Sequence, residues 1–365
     1  MKRLTLIFAC LFCFLPDLEA QTYQGLAGEM FLFSQPNARA EALGRGNAAL
    51  TGSPFLDFYN PAASSFSAPV TLEFTRLDFF PAVKWIDRTE DYDTYGIGAN
   101  FGMFGAFSMN YMHFSGGEEF FNTDAANPEG LGVWPISTEI YMINYSFQIL
   151  KDFSAGVNAN YFKETYKTSK SLEHKGWYFD LGVLKKYKIE SSSSNQEVYL
   201  GLSLTNFANS KFPITVSSFG RTLTHYLPSA LRLAAAYEFQ PQNKMGNFGL
   251  FKGLFLAEYR DLVNSKYNTK FQLGTELTFL EIIKLRAGWF TEGLNDYGHH
   301  FNKSRLNELT YGFGIEAPVK KLTGLNLPMN IQFDYTSLPF PEYYNDDLRH
   351  NDNSPIYSFN ISYGI

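Results

Sequence analysis

Few residue types in this chain could carry catalysis. It holds six histidines, His113, His174, His225, His299, His300 and His350, and two cysteines, Cys10 and Cys13. A nucleophilic mechanism needs a serine or cysteine within reach of a histidine that a third group orients. The histidines fall mostly in predicted loops or at strand ends and form no such constellation, so no catalytic residue is assigned. His299 and His300 lie near Asp296, yet adjacent histidines project differently and bring no pattern of supporting partners. No metal site, cofactor site, phosphate loop or dinucleotide fingerprint is read from the sequence. What the chain offers instead is fixed charge at strand spacing: Arg232, Glu258, Arg260, Glu276, Arg286, Glu316 and Asp334. On inward faces the arginines could form an ion-selective ring or simply satisfy neighbouring carboxylates. The second reading is favoured.

Strands must position those charges. From about Pro69 onward the sequence breaks into segments of roughly ten residues with period-two alternation, separated by Gly, Asn, Asp, Ser and Pro. In the last segment Tyr357, Phe359, Ile361, Tyr363 and Ile365 share one face, and Ser358, Asn360, Ser362 and Gly364 the other. The same split recurs at Tyr141 to Phe147, Leu231 to Tyr237, Phe271 to Leu277 and Ile331 to Tyr335. Fourteen candidate strands result, near 70–79, 93–101, 103–114, 136–149, 152–165, 174–187, 196–207, 227–239, 248–261, 267–280, 282–291, 307–316, 327–338 and 355–365.

A soluble sandwich would alternate too, but its dry core would hold the inward charges only as satisfied pairs. Tyr187, Tyr259, Trp289 and Trp177 sit at strand ends as interface aromatics do. Only 18% of the 365 residues are charged and 17% are aromatic, against about 25% charged in ordinary soluble domains. The net charge of −6, without a Lys/Arg-dense segment, gives no footprint for nucleic acid. No apolar run after the N-terminus is long enough for a spanning helix.

Lys2 and Arg3, the apolar run Leu4 to Leu15, and Leu18-Glu19-Ala20 read as a secretory signal cleaved after Ala20. Both cysteines then leave with it. The expected fold is all-β: residues 1–20 a signal peptide, 21–68 an N-terminal arm or plug, and 69–365 a transmembrane antiparallel up-and-down barrel of about fourteen strands. The expected location is the outer membrane of a Gram-negative bacterium, in contact with its lipid. The long connections Ser115 to Pro135, Asn209 to Thr224 and Leu338 to Ser354 should lie outside the cell. Their aromatic residues Phe120, Phe121, Trp134, Phe340, Tyr343 and Tyr344 could bind a partner protein or anchor the barrel at the membrane interface.

The arm is Ala-rich from Asn37 to Leu50 and turns at Tyr59-Asn60-Pro61, where Pro61 restricts Asn60 and the Asn side chain can bond nearby backbone. Gly44 and Gly46 permit close backbone approach. Arg39 could pair with a lumen carboxylate such as Glu276 or Asp334 and hold the arm as a plug, or be a solvated arginine on a short helix.

The stretch Asn37 to Gly44, the stretch Asp57 to Ala62, Leu227-Pro228-Ser229-Ala230-Leu231-Arg232-Leu233 and Leu285-Arg286-Ala287-Gly288-Trp289-Phe290 together resemble the PorV/PorQ family of the type IX secretion system. The chain departs from that pattern in the shortened spacing from Asp57 to Asn60 and in Glu41 and Arg45, where many relatives carry small residues. The resemblance implies a fourteen-stranded barrel related to the FadL transporters, with the arm in or beneath the lumen. It also implies a non-enzymatic role that binds the secretion translocon, the sortase or the C-terminal signal domains of cargo proteins. The alternative is a FadL-like channel or transporter for hydrophobic or small solutes.

Overall fold

The computed structural model describes the chain except for residues 1–35, 80–89, 121–132, 167–171, 209–210, 217–220, 228, 264–268, 294–304, 339–353 and 365. The first nine of the eighteen strands among the described residues are β1 (Val70–Phe79), β2 (Glu90–Asn100), β3 (Ala106–Phe120), β4 (Val133–Leu150), β5 (Phe153–Tyr166), β6 (Leu172–Ile189), β7 (Ser194–Thr205), β8 (Lys211–Val216) and β9 (Arg221–Tyr226). The remaining nine are β10 (Ala230–Pro241), β11 (Lys244–Met245), β12 (Phe248–Gly249), β13 (Phe251–Leu262), β14 (Lys270–Phe279), β15 (Ile283–Gly293), β16 (Arg305–Pro318), β17 (Met329–Leu338) and β18 (Ser354–Tyr363). Hairpins β8–β9 and β11–β12 stand apart; the other strands close into one antiparallel barrel in which β1 pairs with both β2 and β18. Closure leaves no unpaired edge, which is what allows strands to cross a bilayer. The protein is a fourteen-stranded outer-membrane β-barrel.

Period-two alternation sorts every spanning strand into two faces. Outward side chains such as Leu72, Ile97, Met109, Ile143 and Leu233 are 44–58% exposed, as a lipid-facing wall requires. One outward register row runs Phe333, Phe359, Phe74, Tyr95, Tyr111, Tyr141, Tyr161, Trp177 across β17, β18 and β1 to β6. Its rings lie 4.9 Å apart at Tyr111 and Tyr141 and 5.2 Å at Tyr161 and Trp177. The next row toward the longer connections reads Tyr335, Tyr357, Arg76, Asp93, His113, Glu139, Lys163, Lys175. Apolar wall, aromatic girdle and charge follow one another as depth toward a membrane interface dictates.

The turns Phe101–Gly105, 151–152, 190–193 and 280–282 share one end with Tyr363. Short turns mark the periplasmic side of such barrels. β3 and β4 reach farther than the alternation predicted and take in Phe120 and Trp134. A register shift between Gly116 and Glu118 absorbs the glycines that read as a loop start.

Candidate functional site

Residues 36–69 form no strand and lie inside the barrel. Asn37 caps α1 (Ala38–Ala42), its Oδ1 accepting from the Ala40 amide at 2.7 Å. The chain crosses the lumen through Gly44 to Ala48, returns through the short turn of helix Pro54–Phe58, and turns again at Asn60-Pro61. Asn37, Glu41, Arg45, Asp57 and Asn60 are all buried. Burying so much irregular backbone requires a partner for each polar group, and inward-facing side chains supply them. Asn110 donates to the Pro54 carbonyl, Asn158 to that of Asp57, Asn144 to that of Pro61 and Ser203 to that of Tyr59. Asn60 Nδ2 donates to the carbonyls of Ala48 and Val183 at 2.7 and 3.0 Å, tying the turn both to the arm and to β6.

Close approach is made possible by strand glycines. A methyl group at Gly201 would lie 2.0 Å from the Ala48 carbonyl oxygen, and one at Gly156 2.1 Å from that of Pro61. Gly44 sits at φ +73° with the Leu273 carbonyl and Trp289 backbone against it, so both its conformation and its space exclude a side chain.

Arg39 places Nε and Nη2 on Glu276 at 2.9 and 3.1 Å. Arg286 Nε reaches the same carboxylate at 2.6 Å and its Nη1 reaches Asp334 at 2.7 Å. Glu258 joins Arg232 at 2.8 Å and accepts from the Ala48 amide at 2.8 Å. The Arg232 guanidinium lies over the Tyr59 ring. Glu316 pairs with Lys284 at 2.6 Å. Arg260 is buried on the same inner wall. Arg39, Arg232 and Arg286 are thus joined to carboxylates in networks that include the arm. Sequence reasoning missed the Glu41–Arg45 pair at 2.8 Å, although its spacing of four is a helical signal. Asp57 holds its carboxylate between the Ser64 and Ser108 hydroxyls, both 2.5 Å from Oδ2. Burial raises this arm carboxyl to about 7, and the two serines offset part of that rise.

Sequence reasoning also missed an apolar wall. Ile356, Leu77, Tyr92, Met112, Phe114, Ile140, Met142, Phe162 and Tyr178 face inward from β18 and β1 to β6, near their extracellular ends, as one buried cluster. The signal was the run Ile140-Tyr141-Met142-Ile143, where alternation of apolar with polar fails because both faces are apolar. Across the lumen stand Arg232, Arg260 and Lys270 on β10, β13 and β14.

Phe121, Phe340, Tyr343 and Tyr344 lie outside the described residues, and Phe120 and Trp134 belong to β3 and β4. Among the described residues no group of three or more His, Cys, Asp or Glu could hold a metal ion.

No protein-family model matches the chain, and no curated protein does. Solved structures similar to it include the Pseudomonas putida toluene transporter TodX, at 11% identity and a TM-score of 0.49 over 94% of this chain and 97% of that one. The Ralstonia pickettii toluene transporter TbuX matches at 9% identity and 0.48, over 92% and 100%. A Pseudomonas aeruginosa FadL homologue matches at 10% and 0.45, over 90% and 98%. At these values the likeness is one of barrel architecture and says nothing of solute. The expected membership of the PorV/PorQ family is corrected by these likenesses, which are to FadL-type channels rather than to barrels of the type IX system. With it go the expected translocon, sortase and cargo partners. Asn37, Arg39, Gly44, Asp57, Asn60 and Pro61, which carried much of the resemblance, seat the arm within its own barrel, a packing demand that any arm-filled barrel makes and that marks no secretion partner.

Proposed function

We propose that the protein is a FadL-like outer-membrane channel for small hydrophobic solutes, acting without catalysis. The apolar wall carries this reading. A lumen meant only for water and ions gains nothing from nine inward apolar side chains on half its circumference, whereas a hydrophobic solute leaves water readily for such a surface. Met112 and Met142 add adaptable, polarizable contacts suited to solutes of varied shape. The arm fills the periplasmic half, so a solute moving along the barrel axis requires the arm to shift. The chain between residues 36 and 69 is therefore the gate of this proposal.

The test is uptake of labelled toluene, the solute named for TodX and TbuX, by cells carrying the wild-type barrel, an empty vector, or the paired change Ile140→Asp and Met142→Glu. The wild type should exceed the empty vector, and the paired variant should lose about tenfold of that excess, since charge on the wall repels an apolar solute. Uptake equal to the empty vector, or unaffected by the two charges in a barrel that still folds, sinks the reading.

A further inference from the structure

The outer wall carries a trough that the solute pathway does not use. Its floor is Ala235 and Ala257, cross-strand partners on β10 and β13. Leu233 and Tyr259 stand above them in register, and Tyr237 and Phe255 below. The volume is ≈ 940 Å³. The floor row continues from Lys185 on β6 through Leu200, Ala235, Ala257 and Leu273 to Trp289 on β15. At its lower end Lys185 is the cross-strand partner of Phe153, the first residue of β5, at the rim of short turns. At its upper end Trp289 stands six residues above Ile283, where β15 begins. At about 3.4 Å per residue and a strand tilt near 40°, that is a climb of about 15 Å, half of a hydrocarbon core about 30 Å thick. The trough therefore spans the periplasmic leaflet.

Lys185 separates this trough from an ordinary patch of lipid-facing wall. Several other strand lysines have carboxylates: Lys186 lies 2.7 Å from Glu197, Lys252 2.8 Å from Glu238 and Lys284 2.6 Å from Glu316. Lys185 faces outward, rests over the Tyr187 ring at 5.2 Å, and has no carboxylate within ion-pair distance among the described residues. An ammonium at the edge of a bilayer, with no carboxylate beside it among the described residues, is matched by the phosphate of a lipid.

We propose that the trough binds one phospholipid of the periplasmic leaflet, its phosphate on Lys185 and an acyl chain lying over Ala235 and Ala257 toward Trp289. Replacement of either alanine by a larger residue fills the floor. Replacement of the lysine removes the headgroup contact while leaving the trough open. The proposal is independent of what passes through the lumen.

The barrel is purified from outer membranes in mild detergent and its retained lipid is extracted and weighed by mass spectrometry, for wild type, Lys185→Gln, Ala257→Leu, Ala235→Leu and, as a control at the exposed rim, Lys188→Gln. Folding is checked by the heat-dependent gel mobility of intact barrels. Expected are about one phospholipid per wild-type chain, the same for Lys188→Gln, and a drop of about tenfold for Lys185→Gln and for whichever alanine variants fold. Wild-type barrel free of phospholipid, retention of an outer-leaflet glycolipid in its place, or undiminished retention in Lys185→Gln overturns the proposal.

Discussion

Arg39 grips Glu276 with two parallel hydrogen bonds, Nε to Oε2 at 2.9 Å and Nη2 to Oε1 at 3.1 Å. The fork joins the arm to β14, and because Arg286 bonds the same carboxylate, Glu276 links the proposed gate to the barrel wall. Replacing Glu276 by Ala leaves Arg286 and Arg39 facing each other without their shared anion. Breaking a buried pair in this way costs about 3–5 kcal/mol. The expected result is easier proteolysis of the arm in the purified barrel, and Arg39→Ala should show a smaller effect because Glu276 keeps Arg286.

Gly201→Val should expel the arm from its seat. Even the first added carbon overlaps the Ala48 carbonyl oxygen, and the outer face of β7 is untouched, so the barrel itself has no reason to fail. Planar-bilayer recordings are expected to show ion conductance well above wild type. Conductance indistinguishable from wild type would show that the arm does not seal the lumen.

The pH dependence of docking follows from Asp57. Its carboxyl is raised to about 7 when docked, against about 4 for a free aspartate. Protons bind more tightly to the docked form, so docking is strongest below about pH 4, weakens as pH rises through that window, and levels off above about 7. Asp57→Asn removes one titrating group and should make the profile of arm protection against protease shallower between about pH 4 and 7. A wild-type profile already flat over that range refutes the assignment.

Glu139 faces the membrane side of β4, where Tyr111 and Tyr141 donate their hydroxyls to it at 2.9 and 3.1 Å and Lys163 lies at 3.3 Å. Glu139→Leu strips two phenols of their acceptor and leaves Lys163 unpaired at the girdle. A loss of about 0.5–1.5 kcal/mol, that of an ordinary hydrogen bond, is expected in urea-induced unfolding of barrel reconstituted in bilayers. A change below about 0.5 kcal/mol would place the cluster in water rather than at the girdle.

The wall of the barrel was readable because lipid enforces a two-residue rhythm on every spanning strand: Leu231, Leu233, Ala235 and Tyr237 face out and Arg232 faces in, as alternation implied. Strand ends were less readable. Gly116-Gly117 looks like a turn, and only the register shift opposite β4 shows the chain continuing extended to Phe120. The apolar wall escaped notice because an inward face was expected to be polar: the split read from Tyr141 to Phe147 was matched to polar partners farther along β4, and Ile140 and Met142, on the inward side, were left out of it. Arg39 had two candidate carboxylates by sequence, and only the path of the arm decides that Glu276 receives it while Asp334 is reached through Arg286. The likeness to secretion barrels went wrong for a related reason: small residues and an Asn-Pro turn are what any chain needs to lie against the inside of a barrel, whatever that barrel carries.

Where the barrel closes, Glu73 of β1 accepts from Asn37 and Ser53 of the arm and from Asn360 of β18. Ser358 of β18 accepts from the Ala38 amide and bonds Thr75 of β1. The earliest part of the described chain is thus clasped to the strand that is made last. During insertion the clasp has no second jaw until β18 arrives, so an unfinished barrel leaves the Ala38 amide without Ser358 and Glu73 without Asn360, and only a completed one closes over the arm.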